Sequence, residues 1–362
     1  MKIKLLYFII TTITSFNLYS QNNRPQELKE PFEYTIENVV FKNNLDSISL
    51  AGTLTYPKKG SDFPAVILIS GSGPQDRNSE LMNHKPFLVI ADYITKRGIA
   101  VLRVDDRGTG ESEGNHNETG LKGFVNDTKS ALEFLKTYKE IDHSKIGLIG
   151  HSLGGVIAPI IASKNTDASF IVILAGSGIR GDKLMLLQKE KIERKMGVPE
   201  VGITQGQNNM KGAYDIILKS NDNKTQLQTE LKNYFTKVFG AMLPESQIQT
   251  ISEQISIPWL TDFIKFAPQI ALSKTKCPVL ALNVSNDLQV PPKENLETIE
   301  KTLKENGNED VEIKQLENLN HLFQESETGL PNEYATIEQT FSPNVLEIMI
   351  EWIKQQTQYK TA

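Results

Sequence analysis

The sequence predicts an α/β architecture: a mostly parallel central sheet with an antiparallel hairpin at its N-terminal edge and an inserted helical cap. Three observations lead there. Two β-rich stretches, 34–41 and 47–54, are joined by the short polar link 42–46, the pattern of a hairpin. From residue 65 onward, continuous Val/Ile/Leu runs alternate with amphipathic segments, which is how parallel strands covered by helices on both faces read in sequence. The alternation stops after Ala175 and resumes only at Cys277, an interval far too long for a strand-to-helix connection.

In chain order the apolar runs predict strands at 65–69, 100–104, 146–149, 170–174, 279–282 and 311–316. Helices are predicted at 86–96, 121–138 and 155–163. The interval 180–274 has mixed helical character and reads as the cap, with Met185, Tyr214, Tyr234, Phe235, Phe239, Trp259, Phe263 and Phe266 as its large apolar residues. The expected organisation is therefore a core at 34–179 and 275–362, split by the cap, after an N-terminal linker at 21–33.

Residues 1–20 read as a secretory signal: Lys2 and Lys4 give a positive start, 5–13 form an apolar stretch too short to span a bilayer, and Leu18-Tyr19-Ser20 is a cleavage site before Gln21. Export to the periplasm or medium follows as an expectation, without stable membrane insertion once the signal is cut. The 362 residues carry 39 Lys and Arg against 44 Asp and Glu, a net charge of −5 with no basic stripe, which argues against nucleic acid as a partner. Cys277 is the only cysteine, so neither an intramolecular disulfide nor a cysteine zinc cluster is expected.

The chemistry is concentrated at Gly150-His151-Ser152-Leu153-Gly154, between the strand at 146–149 and the helix at 155–163. A serine on a sharp, glycine-flanked turn between strand and helix is pushed into the open above the sheet, as a nucleophile must be. A serine hydroxyl at neutral pH needs a base within reach and a carboxylate to orient that base. Of the five histidines, His84 and His116 precede the serine, His143 enters its strand, and His151 is its neighbour and is expected to point elsewhere. His321 remains as the base. Asp287, just past the strand at 279–282, is the expected acid, with Glu317 as the fallback. Both Asp287 and His321 follow strands, which puts them on the sheet edge that carries Ser152.

A tetrahedral oxyanion needs two preorganised donors. The N–H of Leu153 is one; the loop Ser70-Gly71-Ser72-Gly73-Pro74 supplies the other, with Ser72 chosen because Pro74 has no N–H. The stretch Asp105-Asp106-Arg107-Gly108 reads as structural, with Arg107 pairing a carboxylate to brace the loops. Trp259, Phe263 and Phe266 are the residues expected to line a substrate pocket under the cap.

These motifs resemble the serine aminopeptidase-like, or hydrolase-4-like, branch of the α/β-hydrolase superfamily, especially its exported bacterial carboxylesterases. The segments that carry the likeness are Gly71 to Arg77, Asp105 to Gly108, Gly150 to Gly154, Asp287-Leu288-Gln289-Val290-Pro291 and Leu319-Asn320-His321-Leu322-Phe323. The resemblance implies the α/β-hydrolase fold, the Ser152, Asp287 and His321 triad, and no metal or organic cofactor. It departs from the wider superfamily where Ser70-Gly71 replaces the common His-Gly ahead of the oxyanion loop. The expected activity is hydrolysis of a small-molecule or saccharide-linked carboxylic ester through an acyl-enzyme. The alternative is an aminopeptidase, which needs an acidic cap pocket for a peptide amine; Glu245, Glu253 and Asp262 are the residues available for it.

Overall fold

A hairpin opens the sheet of the computed structural model, which describes residues 24–164, 168–221 and 223–358. Strands β1 (Tyr34–Asn43) and β2 (Ile48–Pro57) pair antiparallel, Tyr34 opposite Pro57 and Asn43 opposite Ile48. The side-chain oxygen of Asn43 closes their turn by accepting the backbone N–H groups of Leu45 (3.0 Å) and Asp46 (3.1 Å), a local bond that asparagine makes readily. Then follow β3 (Phe63–Ile69), α1 (Pro86–Thr95), β4 (Ala100–Val104), α2 (Leu121–Leu135), β5 (Ile141–His151), α3 (Gly154–Ala162) and β6 (Phe170–Leu174). Six helices come next: α4 (Gly181–Lys195), α5 (Glu200–Lys219), α6 (Lys224–Phe239), α7 (Glu245–Ile255), α8 (Pro258–Lys265) and α9 (Gln269–Leu272). The chain returns to the sheet with β7 (Val279–Val284), α10 (Pro292–Glu305), β8 (Val311–Leu316) and α11 (Pro343–Gln358).

The eight strands form one sheet in the order β1-β2-β4-β3-β5-β6-β7-β8. β3 to β8 run parallel, and only the hairpin joins antiparallel, through β2 against β4. Successive residues on a strand face opposite sides. Ile67 and Leu102 accordingly pack with α2, α3 and α10, through residues such as Leu132, Ile157 and Ile299. Val66 and Val101 pack on the other face with Ile90 and Ile94 of α1 and Met349 and Ile353 of α11. Burying one such side chain stabilises by roughly 1.5–3 kcal/mol, so these two faces hold the sheet and fix its register.

β5 starts at Ile141, earlier than its apolar run, because Phe63 already pairs with Ile141 before the register shifts to Ala65 opposite Ile146. Helix α2 ends at Leu135, short of residue 138, where Thr137 N–H turns back to the Phe134 carbonyl (2.9 Å). The N-terminal segment read as a linker is tied down in its described part. Arg24 donates to the Met82 (3.0 Å) and Ala335 (3.3 Å) carbonyls, and Gln26 bonds to both backbone groups of Phe341. The signal-peptide reading and its boundary before Gln21 lie outside the described residues.

The order of the strands places the site. β3 is flanked by β4 on one side and β5 on the other, so the direction of winding reverses there, and open α/β sheets bind ligands in the crevice this leaves at the strands' carboxyl ends. The loop after β3 and the turn after β5 both open into it.

Candidate active site

Ser152 stands between β5 and α3 with φ of +54°, in the left-handed region that a non-glycine residue rarely adopts. Such a conformation costs on the order of 1–3 kcal/mol and persists only where its surroundings over-determine it. Here they do. Ser152 N–H donates to the Leu174 carbonyl at 2.9 Å. A Cβ on Gly150 would lie 2.1 Å from the Gly154 carbonyl oxygen, and one on Gly154 would lie 2.2 Å from that of Ile69. Those glycines let the turn close tightly against β3, which leaves the Ser152 side chain at the crevice.

His321 and Asp287 meet behind it. His321 Nδ1 is 2.8 Å from Asp287 Oδ2, and both side chains are buried. The other carboxylate oxygen of Asp287 accepts the N–H groups of Gln289 and Val290, each at 2.8 Å, so the carboxylate is aimed by the backbone that follows it. Glu317 is exposed and accepts from Gln315 Nε2 at 3.1 Å, away from the imidazole. The structure thus brings Asp287, and not Glu317, to His321.

The loop after β3 packs against the serine: a Cβ on Gly71 would sit 3.3 Å from Ser152 Cβ. Ser72 and Ser152 share the walls of two cavities, and Leu153 caps the start of α3. Trp259 and Phe263 line the larger cavity, of about 480 Å³, with Leu184, Met185, Leu260 and Val290. The rings of Trp259 and His116 meet in a T-shaped arrangement, with centroids 6.4 Å apart. Phe266 does not line this cavity, contrary to the sequence expectation: α8 has ended at Lys265, and Phe266 lies in extended backbone whose carbonyl accepts Gly181 N–H at 3.2 Å. A smaller cavity, of about 120 Å³, holds Ser152, His151, His321, Gln289 and Tyr334 in its wall.

His151 is a second correction. It does not point away from the site; its Nε2 donates to the His321 carbonyl at 2.9 Å, and the two rings lie 4.8 Å apart. Burial, together with the nearby His321, pushes its pKa down to about 3. Elimination by chain position missed this residue, because only the fold brings the turn after β8 back over the serine turn. Gln289, at two residues past Asp287, was also missed; its amide reaches Tyr334 Oη at 2.9 Å.

The three cap carboxylates are occupied elsewhere. Glu245 pairs with Lys232 (2.8 Å), Glu253 accepts from Gln249 (2.6 Å), and Asp262 accepts Leu121 N–H at the start of α2 (2.9 Å). Among the described residues, the larger cavity has neutral Asn117, Gln188, Gln254 and Gln289 as its amide side chains and no Asp or Glu in its wall. Arg107 braces the hairpin turn through Asp46 (2.5 Å) and α2 through Asp127 (2.6 Å), whereas Asp105 and Asp106 hold the loop that carries Ser72.

A half-buried hydroxyl on strained backbone at a cavity wall, an imidazole oriented by a carboxylate, and a glycine loop against the serine are the parts needed for acyl transfer. The profile of the serine aminopeptidase, S33 family matches residues 85–327. Over 124 residues, or 34% of this chain and 30% of the relative, the chain is 35% identical to the esterase EstD of Thermotoga maritima. Over 175 residues, or 46% of this chain and 55% of the relative, it is 30% identical to the polyketide transferase ATR5 of Stachybotrys chlorohalonatus. The matches thus span about a third to a half of these relatives' lengths. The esterase Pf2001 of Pyrococcus furiosus shares the fold at a TM-score of 0.51 and 19% identity, covering 89% of this chain and 93% of its own. The α/β hydrolase GrgF of Penicillium sp. sh18 does so at 0.54 and 16%, covering 90% and 100%.

Proposed function

The chain belongs to the serine aminopeptidase, S33 family and is a serine hydrolase of the α/β-hydrolase fold; on that premise we propose that it cleaves carboxylic esters through an acyl-enzyme formed on Ser152. The observation that carries this reading is the 2.8 Å contact between His321 Nδ1 and Asp287 Oδ2 beside the cavity wall shared by His321 and Ser152.

With Nδ1–H donated to the carboxylate, Nε2 of His321 is the free lone pair. It takes the Ser152 proton as Oγ attacks the ester carbonyl, and the carbonyl oxygen becomes an oxyanion bonded by Leu153 N–H and Ser72 N–H. Collapse breaks the bond to the alcohol oxygen, which leaves with the proton from Nε2. Water then attacks the acyl-enzyme with the same base, releasing the acid and restoring Ser152. Leu184, Met185, Trp259, Leu260 and Phe263 offer an apolar wall to the substrate. An ester is favoured over a peptide with a free amine, because Glu245, Glu253 and Asp262 are engaged outside that wall. The proposed setting is outside the cytoplasm, a reading supported by the charged start and short apolar stretch of residues 1–20.

A panel of p-nitrophenyl esters beside aminoacyl p-nitroanilides tests the reading. Ester turnover by the wild type, lost in Ser152→Ala with the fold retained by circular dichroism, is the expected result. Turnover of the anilides alone would overturn it in favour of a peptidase.

A further inference from the structure

We propose that Asp106 is a positioning residue for the oxyanion loop, its one carboxylate clamping both ends of the segment that presents Ser72. This rests on the esterase reading, since it concerns how that site stabilises its transition state.

The loop has little to hold it in shape. Residues 71–74 are Gly-Ser-Gly-Pro, with Gly73 at φ of +88° and Pro74 without an N–H, so no regular backbone bonding sets where the Ser72 amide points. What fixes the ends is Asp106. Its Oδ1 accepts from Ser70 Oγ at 2.6 Å, before the loop, and its Oδ2 accepts from Gln75 N–H at 2.9 Å, after it. Asp106 N–H donates back to the Gln75 carbonyl at 3.0 Å. The next residues repeat the pattern one step out: Asp105 Oδ1 accepts Arg77 N–H at 2.7 Å while its carboxylate pairs with the Arg77 guanidinium. Two adjacent acidic residues at the end of β4 therefore grip a loop that leaves β3, its parallel neighbour.

The position of this grip is informative. Asp106, Ser70, Gly71 and Leu153 line one small cavity of about 50 Å³, so the carboxylate shares a wall with one proposed oxyanion donor, Leu153, and with the start of the loop that carries the other, and it lines neither cavity that holds Ser152. The Asp106 carboxylate bonds to Ser70 and Gln75 and not to Ser152 or His321; its influence passes through the loop. Hydrogen-bond donors at an oxyanion act only if they meet the oxygen of the transition state, and a misplacement of 1 Å can cost about 10²-fold in rate. Loss of the clamp is therefore expected in kcat, with ground-state binding in the cap cavity untouched.

The variants are Asp106→Ala, which removes both bonds, and Asp106→Asn, whose amide can still accept from Gln75 N–H while donating to Ser70 Oγ. Kinetics on a p-nitrophenyl ester and the affinity of an alkyl boronic acid, which forms a tetrahedral adduct on an active serine, are measured for each. The expected result for Asp106→Ala is a fall in kcat of about 10- to 10²-fold, KM within twofold, and a parallel loss of boronate affinity. Asp106→Asn is expected to recover most of both. If Asp106→Ala does not fold, Ser70→Ala, which deletes one of the two bonds, is expected to show a smaller loss of the same kind. A rise in KM with kcat and boronate affinity unchanged would overturn the proposal while leaving the esterase reading intact. A wild type that turns over no ester and binds no boronate would overturn both.

Discussion

Asp287 reaches His321 with one carboxylate oxygen, Oδ2 at 2.8 Å from Nδ1, and is itself held by the two backbone N–H groups of Gln289 and Val290 on the other. The acid is thus oriented by the chain that follows it, so the imidazole inherits its direction from a strand end and not from a flexible side chain. Asp287→Asn is expected to lower kcat by up to about 10⁴, because an amide favours the wrong imidazole tautomer. Glu317→Gln is expected to leave kcat unchanged, its carboxylate being exposed beside Gln315. Kinetics of the two variants on one ester check this pair; the reverse ranking would move the acid's role to Glu317.

Trp259 walls the larger cavity and Phe266 does not. Trp259→Ala is therefore expected to shift preference toward longer acyl chains, each methylene contact contributing up to about 0.8 kcal/mol. Phe266→Ala is expected to leave that preference where it is. The ratio of kcat/KM for acetyl, butyryl and octanoyl esters measures both, and an unchanged ratio in Trp259→Ala with a lowered Tm would show that the indole only packs the cap.

His151 holds the His321 backbone as a neutral donor. Burial first, and the neighbouring His321 second, bring its pKa down from 6.5 to about 3. A depressed folded-state pKa means that the group's stability is present above about 6.5 and is lost as pH falls toward about 3, since the unfolded chain takes up the proton first. Buried His84 and His116 are shifted in the same direction. His151→Gln is expected to remove one part of the acid-side loss: the difference in Tm between variant and wild type should move in the variant's favour from pH 7 to pH 4. A difference independent of pH would contradict a partly buried, neutral imidazole.

Asp106 runs the other way. Withdrawal from water, opposed by the Ser70 and Gln75 bonds and reinforced by Asp127 and Asp105, pushes its carboxyl up to about 7. Arg107 and His116 also line the internal cavity. A raised folded-state pKa stabilises the folded chain at low pH, and that contribution is lost as pH rises from about 4 through about 7. Asp106→Asn carries no such titration, so its Tm relative to wild type should climb over that window and level off above it. A flat difference would mean that the carboxyl is not enclosed as its contacts indicate.

Much of this was legible in the sequence because it is local. The period of the Val/Ile/Leu runs predicts the strands, and Gly150 and Gly154 around Ser152 signal a turn that only small residues allow, as the 2.1 and 2.2 Å approaches at those glycines bear out. The hairpin was legible for the same reason: Asn43 closes its turn with bonds to Leu45 and Asp46, two and three residues away. What the tertiary structure alone decided are meetings between distant residues. Sequence order made Asp287 and Glu317 both possible acids, and the backbone after β7 selects one. His151 was dismissed by its place in the chain, yet the turn after β8 lays the His321 carbonyl on it. Phe266 shares the apolar character of Trp259 and Phe263, and the end of α8 turns it out of the cavity they line. Asp106 read only as part of a structural turn, because its partners, Ser70 and Gln75, reach it only when β3 and β4 lie side by side. Periodicity and turn chemistry are set by neighbours along the chain, whereas the direction of a side chain into a shared crevice depends on where each strand ends, and that is fixed by packing across the whole sheet.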